Sequence, residues 1–330
     1  MRRMKSRLTL FCIALLGTAL LSSLVLCQHQ EPLAPPAPHR GGMIDATLPQ
    51  RAIVFGDSRP KLALEIGRED TDGIAAEVMG RIAAEHPAMV IHLGDIAARG
   101  GKEKHWKTFD DESRAIREGK IPFYPALGNH EFMGGDRDEA LRNYFSRFPH
   151  LGNRRWYDVT AGNTLFIQLD SNFVELTDGE IAEQDRWLGE TLAKAGADPK
   201  IEFVILAAHH PPSTNASIHS GTEAVRSHFL DPAKKCAKAV ILFSGHVHGY
   251  ERFEEAGGMM LVVSGGGGSP RHTILTGDEA RHRDLFSGGA KRPFHFCRLT
   301  LSSGRLLVEM VARGDDGKTW SVADTFEFRR

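Results

Sequence analysis

The sequence predicts an α/β fold in which strands and helices alternate. Apolar runs of the kind found in buried strands lie at residues 51–55, 88–93, 121–127, 201–208 and 239–243. Strands that alternate with helices are typical of parallel pairing with right-handed crossovers. Each of these runs is followed within a few residues by an Asp, Asn or His. Because ligands bind open α/β sheets beyond the carboxyl ends of the strands, we expect these polar side chains to line one crevice.

The segments between the runs predict helices and one hairpin. The first helix is capped by Thr71 or Asp72 and ends before Pro87, because proline cannot continue a helix. Residues 155–160 and 164–170 are two strand-like runs around a short turn, which predicts a β-hairpin. Further helices are expected at residues 101–119, where the helix is polar and partly exposed, and at 139–148 and 178–196.

After residue 252 the pattern changes to short strands without helices between them. Such strands lie at residues 259–263, 294–299, 306–311 and 319–328. Consecutive strands without crossover helices indicate antiparallel pairing, so a second, antiparallel sheet is expected. Residues 272–291 are polar and have no apolar period, which predicts a long mobile loop.

Composition gives no sign of a nucleic-acid-binding protein. The chain has 330 residues, 41% of them hydrophobic, enough for one sizeable core. Its 41 basic and 42 acidic residues nearly cancel, for a net charge of −1. No nucleic-acid-binding surface is therefore expected, and any affinity for phosphate must be local.

The N-terminus predicts export. Residues 1–7 carry four positive charges and residues 8–27 are almost wholly apolar, so residues 1–27 are expected to be a signal peptide or a signal anchor. Cleavage, lipidation at Cys27 and retention as an anchor are left open. Residues 28–50 are a proline-rich tether, and residues 51–330 are expected to form one catalytic domain. The domain is then extracytoplasmic, periplasmic or secreted, and touches a membrane only through the N-terminal segment.

Cysteine usage excludes a zinc–thiolate site. Beyond residue 27 the cysteines are Cys236 and Cys297, and neither has a Cys or His at metal-binding spacing. Whether these two thiols pair is left open.

The polar residues at the strand ends have the composition of a transition-metal site. They include oxygen and nitrogen donors but no thiolate, which favours Fe, Mn or Zn over Ca. They are more numerous than one ion needs, so we expect two divalent or trivalent ions that share a bridging carboxylate. Such a pair lowers the pKa of a shared water and clamps the oxygens of a displacement at phosphorus. The expected metal ligands are Asp57, Asp95, Asn129, His209, His246 and His248.

Five short motifs in this order resemble those of the calcineurin-like metallophosphoesterases. They are Gly-Asp at 56–57, Gly-Asp at 94–95, Gly-Asn-His-Glu at 128–131, His-His-Pro at 209–211 and Gly-His-Val-His-Gly-Tyr-Glu-Arg at 245–252. The last is most similar to the purple acid phosphatases. The resemblance implies an α/β (α+β) fold of two facing mixed β-sheets flanked by helices, a four-layer sandwich.

The resemblance also implies a role for each residue. Asp95 would bridge the two metals, and Asp57 and His248 would bind the first. Asn129 and two further histidines, His209 and His246, would bind the second. His130 would contact the scissile phosphate or protonate the leaving group.

One departure from the family pattern concerns the first metal. The family usually adds a His two residues after the first Asp, or a Tyr three residues after the second. Here those positions hold Arg59 and Ala98, and an arginine has no lone pair to offer a metal. We therefore expect a weakly held first metal, an Arg59 that reaches a substrate phosphate, and no ferric-tyrosinate colour.

The expected function is that of a metal-dependent phosphoric ester hydrolase, a phosphatase whose nucleophile is a hydroxide bridging two metal ions. The expected partner is a small phosphoester substrate. Two alternatives are left open. The first is a phosphodiesterase or a nucleotide or lipid pyrophosphohydrolase. The second is a phosphate-binding protein whose incomplete first metal site makes turnover weak.

Overall fold

Two mixed sheets of six strands each form the framework of the computed structural model. The structure describes residues 47–330, so the predicted signal segment and most of the predicted tether lie outside the described residues. The two facing mixed sheets flanked by helices confirm the fold class. Within residues 47–330, no helix is both long enough and apolar enough to span a membrane.

The first sheet has the strand order β12-β11-β10-β1-β2-β3. β1 pairs in parallel with β2, and β2 with β3, whereas β10, β11 and β12 add antiparallel strands on the other side of β1. The strands are β1 (Gln50–Phe55), β2 (Met89–His92), β3 (Phe123–Pro125), β10 (His295–Ser302), β11 (Arg305–Arg313) and β12 (Trp320–Arg329).

The second sheet has the order β4-β5-β6-β7-β9-β8. Its four central strands are parallel, and β4 and β8 are antiparallel at the edges. The predicted hairpin is its β4–β5 pair. The strands are β4 (Tyr157–Ala161), β5 (Thr164–Gln168), β6 (Phe203–Ala208), β7 (Ala239–Ser244), β8 (Tyr250–Glu254) and β9 (Met260–Ser264).

The prediction of a separate antiparallel sheet for the C-terminal strands was wrong. β10 pairs with the edge of β1 that β2 leaves open, and β9 runs parallel to β7 in the other sheet. An open strand edge presents unpaired N–H and C=O groups, and the returning chain covers it. The local apolar pattern shows that a strand forms but not which distant edge it joins.

Helices flank the sheets close to where the pattern predicts them: α1 (Ile74–Ala84), α2 (Glu103–Glu112), α3 (Arg114–Glu118), α4 (Arg137–Arg147) and α5 (Asp178–Ala197). The residue that caps α1 is Gly73 rather than Thr71 or Asp72. The helix predicted at 101–119 is broken at Ser113 into α2 and α3. Its Trp106 is fully buried and donates its indole N–H to the Gly100 carbonyl at 2.7 Å.

The main core lies between the two sheets. It unites side chains of the first sheet, such as Phe55 and Ile91, with Phe166 and Phe243 of the second. A second cluster packs α5 through Leu188 onto the outer face of the second sheet. These two layers hold rigidly the strand ends from which the site is built.

The segment 272–291, expected to be a mobile loop, is held by specific contacts. Arg271, just before it, forms a paired contact with Glu69 at 2.8 and 2.9 Å. Within the segment, Ile274 is buried and pairs with Ala216, and Asp284 accepts the backbone N–H of Arg252 at 3.0 Å. Apart from the Ile274–Ala216 bridge, polar residues make these contacts, so an apolar period could not reveal them.

Both cysteines in the described part of the chain are free thiols. Cys297 is buried in β10 with its thiol against the Ser264 hydroxyl at 3.5 Å, whereas Cys236 is partly exposed.

Candidate metal centre

The predicted site residues lie together beyond the carboxyl ends of strands from both sheets. Asp57 follows β1 and Asp95 follows β2, while Asn129 follows β3 by a few residues. From the second sheet, His209 directly follows β6, and the turn after β7 carries the other two histidines. Parallel neighbours end at the same edge of a sheet, so residues far apart in sequence meet here.

The turns that carry these residues have unusual backbone conformations. Asp57, Asp95 and His246 have φ angles of 60°, 57° and 66°, in the left-handed region that non-glycine residues rarely adopt. The Asp57 carboxylate accepts the His246 backbone N–H, at 3.0 Å to each oxygen. A Cβ on Gly245 would lie 2.5 Å from that carboxylate. Backbone strain of this kind is typical of functional sites.

The first group of donors consists of Asp57, Asp95 and His248. All three are buried, and one ligand atom from each lies within 4.8 Å of the others. The Nδ1–H of His248 donates to the Pro270 carbonyl at 2.7 Å. This bond fixes the tautomer and leaves the Nε2 lone pair 3.5 Å from Asp57 Oδ1.

The second group brings lone pairs into close contact. His209 Nδ1–H donates to the Leu93 carbonyl at 2.8 Å, so its Nε2 is an acceptor. That Nε2 lies 2.9 Å from Asn129 Oδ1 and 3.3 Å from Asp95 Oδ1, which are acceptors as well. His246 Nδ1 lies 3.0 Å from the same amide oxygen. A cation between these atoms would satisfy all their lone pairs at once, so the residues fit a metal ion.

His210 also belongs to this second group, although the sequence favoured His209 alone. One of its ring nitrogens lies within 4.8 Å of donor atoms of His209 and His246. Its Nδ1 lies 2.9 Å from the Ser171 hydroxyl. Burial lowers the pKa of His210 to about 3, so the ring is neutral at physiological pH.

The two aspartates have opposite pKa shifts. Burial, followed by the charge of Asp95, raises the pKa of Asp57 well above its ordinary value. Burial opposes the shift of Asp95, but the imidazoles of His209 and His130 hold the pKa of that carboxyl well below its ordinary value. A bound cation would favour the ionised form of both.

His130 lies beside the donors with one nitrogen free. Its Nδ1–H donates to the carbonyl of Ala98 at 2.9 Å, which leaves Nε2 3.8 Å from Asp95 Oδ2. The side chain is largely buried. Ala98, where the purple acid phosphatases have a tyrosine, thus contributes its carbonyl to orient His130.

Arg59 is buried against the first group. Its terminal nitrogens pair with Glu65 at 2.9 and 3.0 Å, and its Nε lies 4.0 Å from Asp95 Oδ2. That Nε is buried and makes no hydrogen bond with any of the described residues. The position that lacks a metal ligand therefore holds a fixed positive charge.

Glu131 organises the site, a role that its motif did not predict. Its Oε2 accepts the backbone N–H groups of Asp95 and Gly128 at 2.8 and 2.7 Å. Its Oε1 accepts those of Ile96 and Ala97 at 2.9 and 3.1 Å. The side chain thereby joins the turn after β2 to the turn after β3. Its position directly after Asn129 and His130 is the sequence feature that could have identified this role.

Three further histidines are not among the expected metal ligands. The His272 ring stacks on His248 with centroids 4.0 Å apart, a contact that its loop assignment concealed. His219 lies with its ring 4.3 Å from that of His246. His92 is buried in β2 and contacts the Ser58 hydroxyl at 3.1 Å.

This fold and this arrangement of donors define a metallophosphoesterase. The family model described as calcineurin-like phosphoesterase matches residues 53–250, and the chain belongs to that family. Its relatives include an uncharacterised protein of Mycobacterium tuberculosis, 31% identical over 231 residues that cover 62% of this chain and 43% of that protein. Purple acid phosphatase 15 of Arabidopsis thaliana is 28% identical over 40% of this chain and 25% of its own length.

A solved structure shows the same fold. A purple acid phosphatase from yellow lupin (Lupinus luteus) seeds aligns with a TM-score of 0.65 and 22% identity, covering 90% of this chain and 55% of that chain. These findings support the assignment of the chain to the purple acid phosphatase-like branch of the family. The chain spans less than half the length of the two curated relatives named above.

Proposed function

We propose that the chain is a metal-dependent phosphatase, a hydrolase of phosphoric monoesters. The observation that carries the proposal is the close contact of His209 Nε2, His246 Nδ1 and two acceptor oxygens in a buried site. Because the ring hydrogen of His209 is on Nδ1, the contact of its Nε2 with the two acceptor oxygens is unfavourable without a cation between the atoms. Family membership supports phosphoester chemistry at this position.

The donors divide into two metal sites. Asp57 and His248 would hold the first ion, which is Fe, Mn or Zn. Asn129, His209 and His246 would hold the second, and Asp95 lies between the two groups. When bound, two such ions activate a water molecule as hydroxide and polarise the phosphoryl oxygens.

The chain's own side chains supply the remaining steps. With Nδ1–H bonded to Ala98, the His130 Nε2 faces the cleft and, when protonated, can give a proton to the leaving oxygen. The free Nε–H of Arg59 lies 4.0 Å from Asp95, where its positive charge can stabilise negative charge on the phosphoryl group of the substrate. Glu65 holds the arginine in that orientation through its terminal nitrogens.

Hydrolysis of p-nitrophenyl phosphate with added Mn or Zn tests the proposal. Asn129→Ala and His246→Ala should lower kcat by at least about a hundredfold while leaving the unfolding temperature of the metal-free protein within a few degrees. His105→Ala, on α2 and outside the site, is the matched control. Equal rates in all four proteins would refute the assignment.

The same assay separates the alternatives. A preference for bis(p-nitrophenyl) phosphate would replace the monoesterase by a diesterase. Phosphate binding without turnover at any pH or metal would favour the binding protein, for which the missing first-site ligand at Arg59 is the supporting observation. Export through residues 1–27 belongs to the same proposal, and detection of the protein outside the cytoplasm tests it.

A further inference from the structure

A cavity of about 350 Å3 adjoins the candidate metal centre on the side of His246. Its other walls are residues 217–222, which include His219, together with Arg281 from the segment 272–291. Of the described residues that line it, none carries a carboxylate, and Arg281 is the one with a permanent positive charge. A cavity of this composition suits an anion rather than a cation or an apolar group.

The guanidinium of Arg281 is held in place by the wall of the cavity. Its Nη1 donates to the Thr214 carbonyl and its Nη2 to the Ala216 carbonyl, each at 2.9 Å. Two of its five N–H groups are thus used, and three are left for a ligand. The side chain is nevertheless exposed to solvent. A charge that is fixed before binding loses little conformational entropy when it pairs with a ligand.

The frame behind Arg281 is rigid. Asn215 and the backbone of His282 exchange two hydrogen bonds at 3.0 and 2.8 Å. The Glu251 carboxylate, buried at the start of β8, accepts the Asn215 backbone N–H at 2.7 Å and also the Thr214 hydroxyl. The distance between Arg281 and the metal centre is therefore set by buried contacts and not by a free loop.

We propose that Arg281 binds a second anionic group of the substrate, and that the preferred substrates are phosphoesters with a distal carboxylate or a second phosphate. This inference rests on the proposed function, because the metal centre must hold the first phosphate. Arg281 is then a specificity-determining residue. It recognises the substrate but takes no part in proton transfer.

Calorimetric binding of three phosphonates to the Mn-loaded protein at pH 7 tests the inference without turnover. Propylphosphonate carries no distal charge, 3-phosphonopropionate carries a carboxylate, and propane-1,3-bisphosphonate carries a second phosphonate. At least one of the charged probes should bind wild-type protein about fivefold more tightly than propylphosphonate, as expected for one exposed but preorganised ion pair. Which probe gains identifies the anion.

Arg281→Gln should abolish that gain and leave the affinity for propylphosphonate unchanged. Arg283→Gln, which removes an arginine that lies beside Glu254 and Glu255 in other cavities, should keep it. Equal affinity of wild-type protein for the three probes overturns the inference, and so does a loss in Arg281→Gln that affects all three equally. No binding of any phosphonate would instead refute the proposed phosphate site, and this inference with it.

Discussion

Replacing Gly128 by alanine tests whether the position of Asp95 controls activity. Gly128 lies between β3 and Asn129, and its backbone N–H donates to Glu131. A Cβ built at this position would lie 2.3 Å from both the backbone N and the Oδ1 of Asp95, and 2.9 Å from Glu131 Oε2. Ordinary van der Waals contacts of a Cβ atom begin at 3.4 Å. The added methyl group therefore requires Asp95 or the turn after β3 to move by about 1 Å.

Such a movement should affect catalysis more than folding. Overpacking a buried site typically costs about 1–3 kcal/mol of stability, and the cost here lies at or above the upper end because one clash is with the backbone N of Asp95; the unfolding temperature shows whether the variant is folded under the assay conditions. A displacement of about 1 Å in a catalytic group lowers rates by about a hundredfold. Because Asp95 lies between the two groups of donors, the variant should also retain less metal.

The assay combines kcat/KM for p-nitrophenyl phosphate, metal content by mass spectrometry after gel filtration, and the unfolding temperature. Gly189→Ala is the matched control: Gly189 lies within α5 and a Cβ there meets nothing within 4 Å. The control should keep wild-type activity and gain about 0.5–1 kcal/mol of stability from improved helix propensity. A Gly128→Ala enzyme with wild-type kcat/KM and both ions would refute the role assigned to Asp95.

Three further predictions concern charge and acidity. Arg59→Gln removes a cation 4.0 Å from Asp95. The variant should therefore retain the first ion better during dialysis against a mild chelator, while its kcat falls. Wild-type protein that retains both ions equally would contradict this prediction. Burial lowers the pKa of His295, a β10 residue outside the metal centre, to about 4. Between pH 6.5 and 4 the unfolded chain then binds more protons than the folded chain, so the wild-type protein loses stability as the pH is lowered. The difference in unfolding free energy between wild type and His295→Gln, measured by urea unfolding with EDTA, should therefore shrink by about 2 kcal/mol from pH 7.5 to pH 5. The exposed His86→Gln is the control, and a difference that stays constant would show that His295 is not buried as a neutral ring. Glu65→Gln frees the Arg59 guanidinium, so KM for p-nitrophenyl phosphate should rise severalfold with little change in unfolding temperature, whereas an unchanged KM would exclude a positioning role for Glu65.

The sequence could indicate that the candidate residues lie together because the relevant information is local. Each candidate ligand follows an apolar run, and strand ends converge by the topology of parallel sheets. The same reasoning failed for β10–β12, because β10, which joins them to the first sheet, pairs with β1 more than 200 residues earlier, and any open edge accepts a strand. It failed again for segment 272–291, which is held largely by polar contacts such as that of Asp284 with the Arg252 backbone N–H. Polar pairs leave no periodic signal.

The departure at Arg59 shows what geometry adds to a motif. The sequence predicts that Arg59 replaces a metal donor and reaches a substrate phosphate. The structure adds its surroundings: Glu65 pairs with the terminal nitrogens, and Nε lies 4.0 Å from Asp95 Oδ2 without a hydrogen-bond partner among the described residues. An unpaired buried donor is costly, and it persists where a ligand satisfies it. We propose that a phosphoryl oxygen of a bound substrate is the acceptor for this N–H group, so that the lost metal ligand and the gained substrate contact would be consequences of the same substitution.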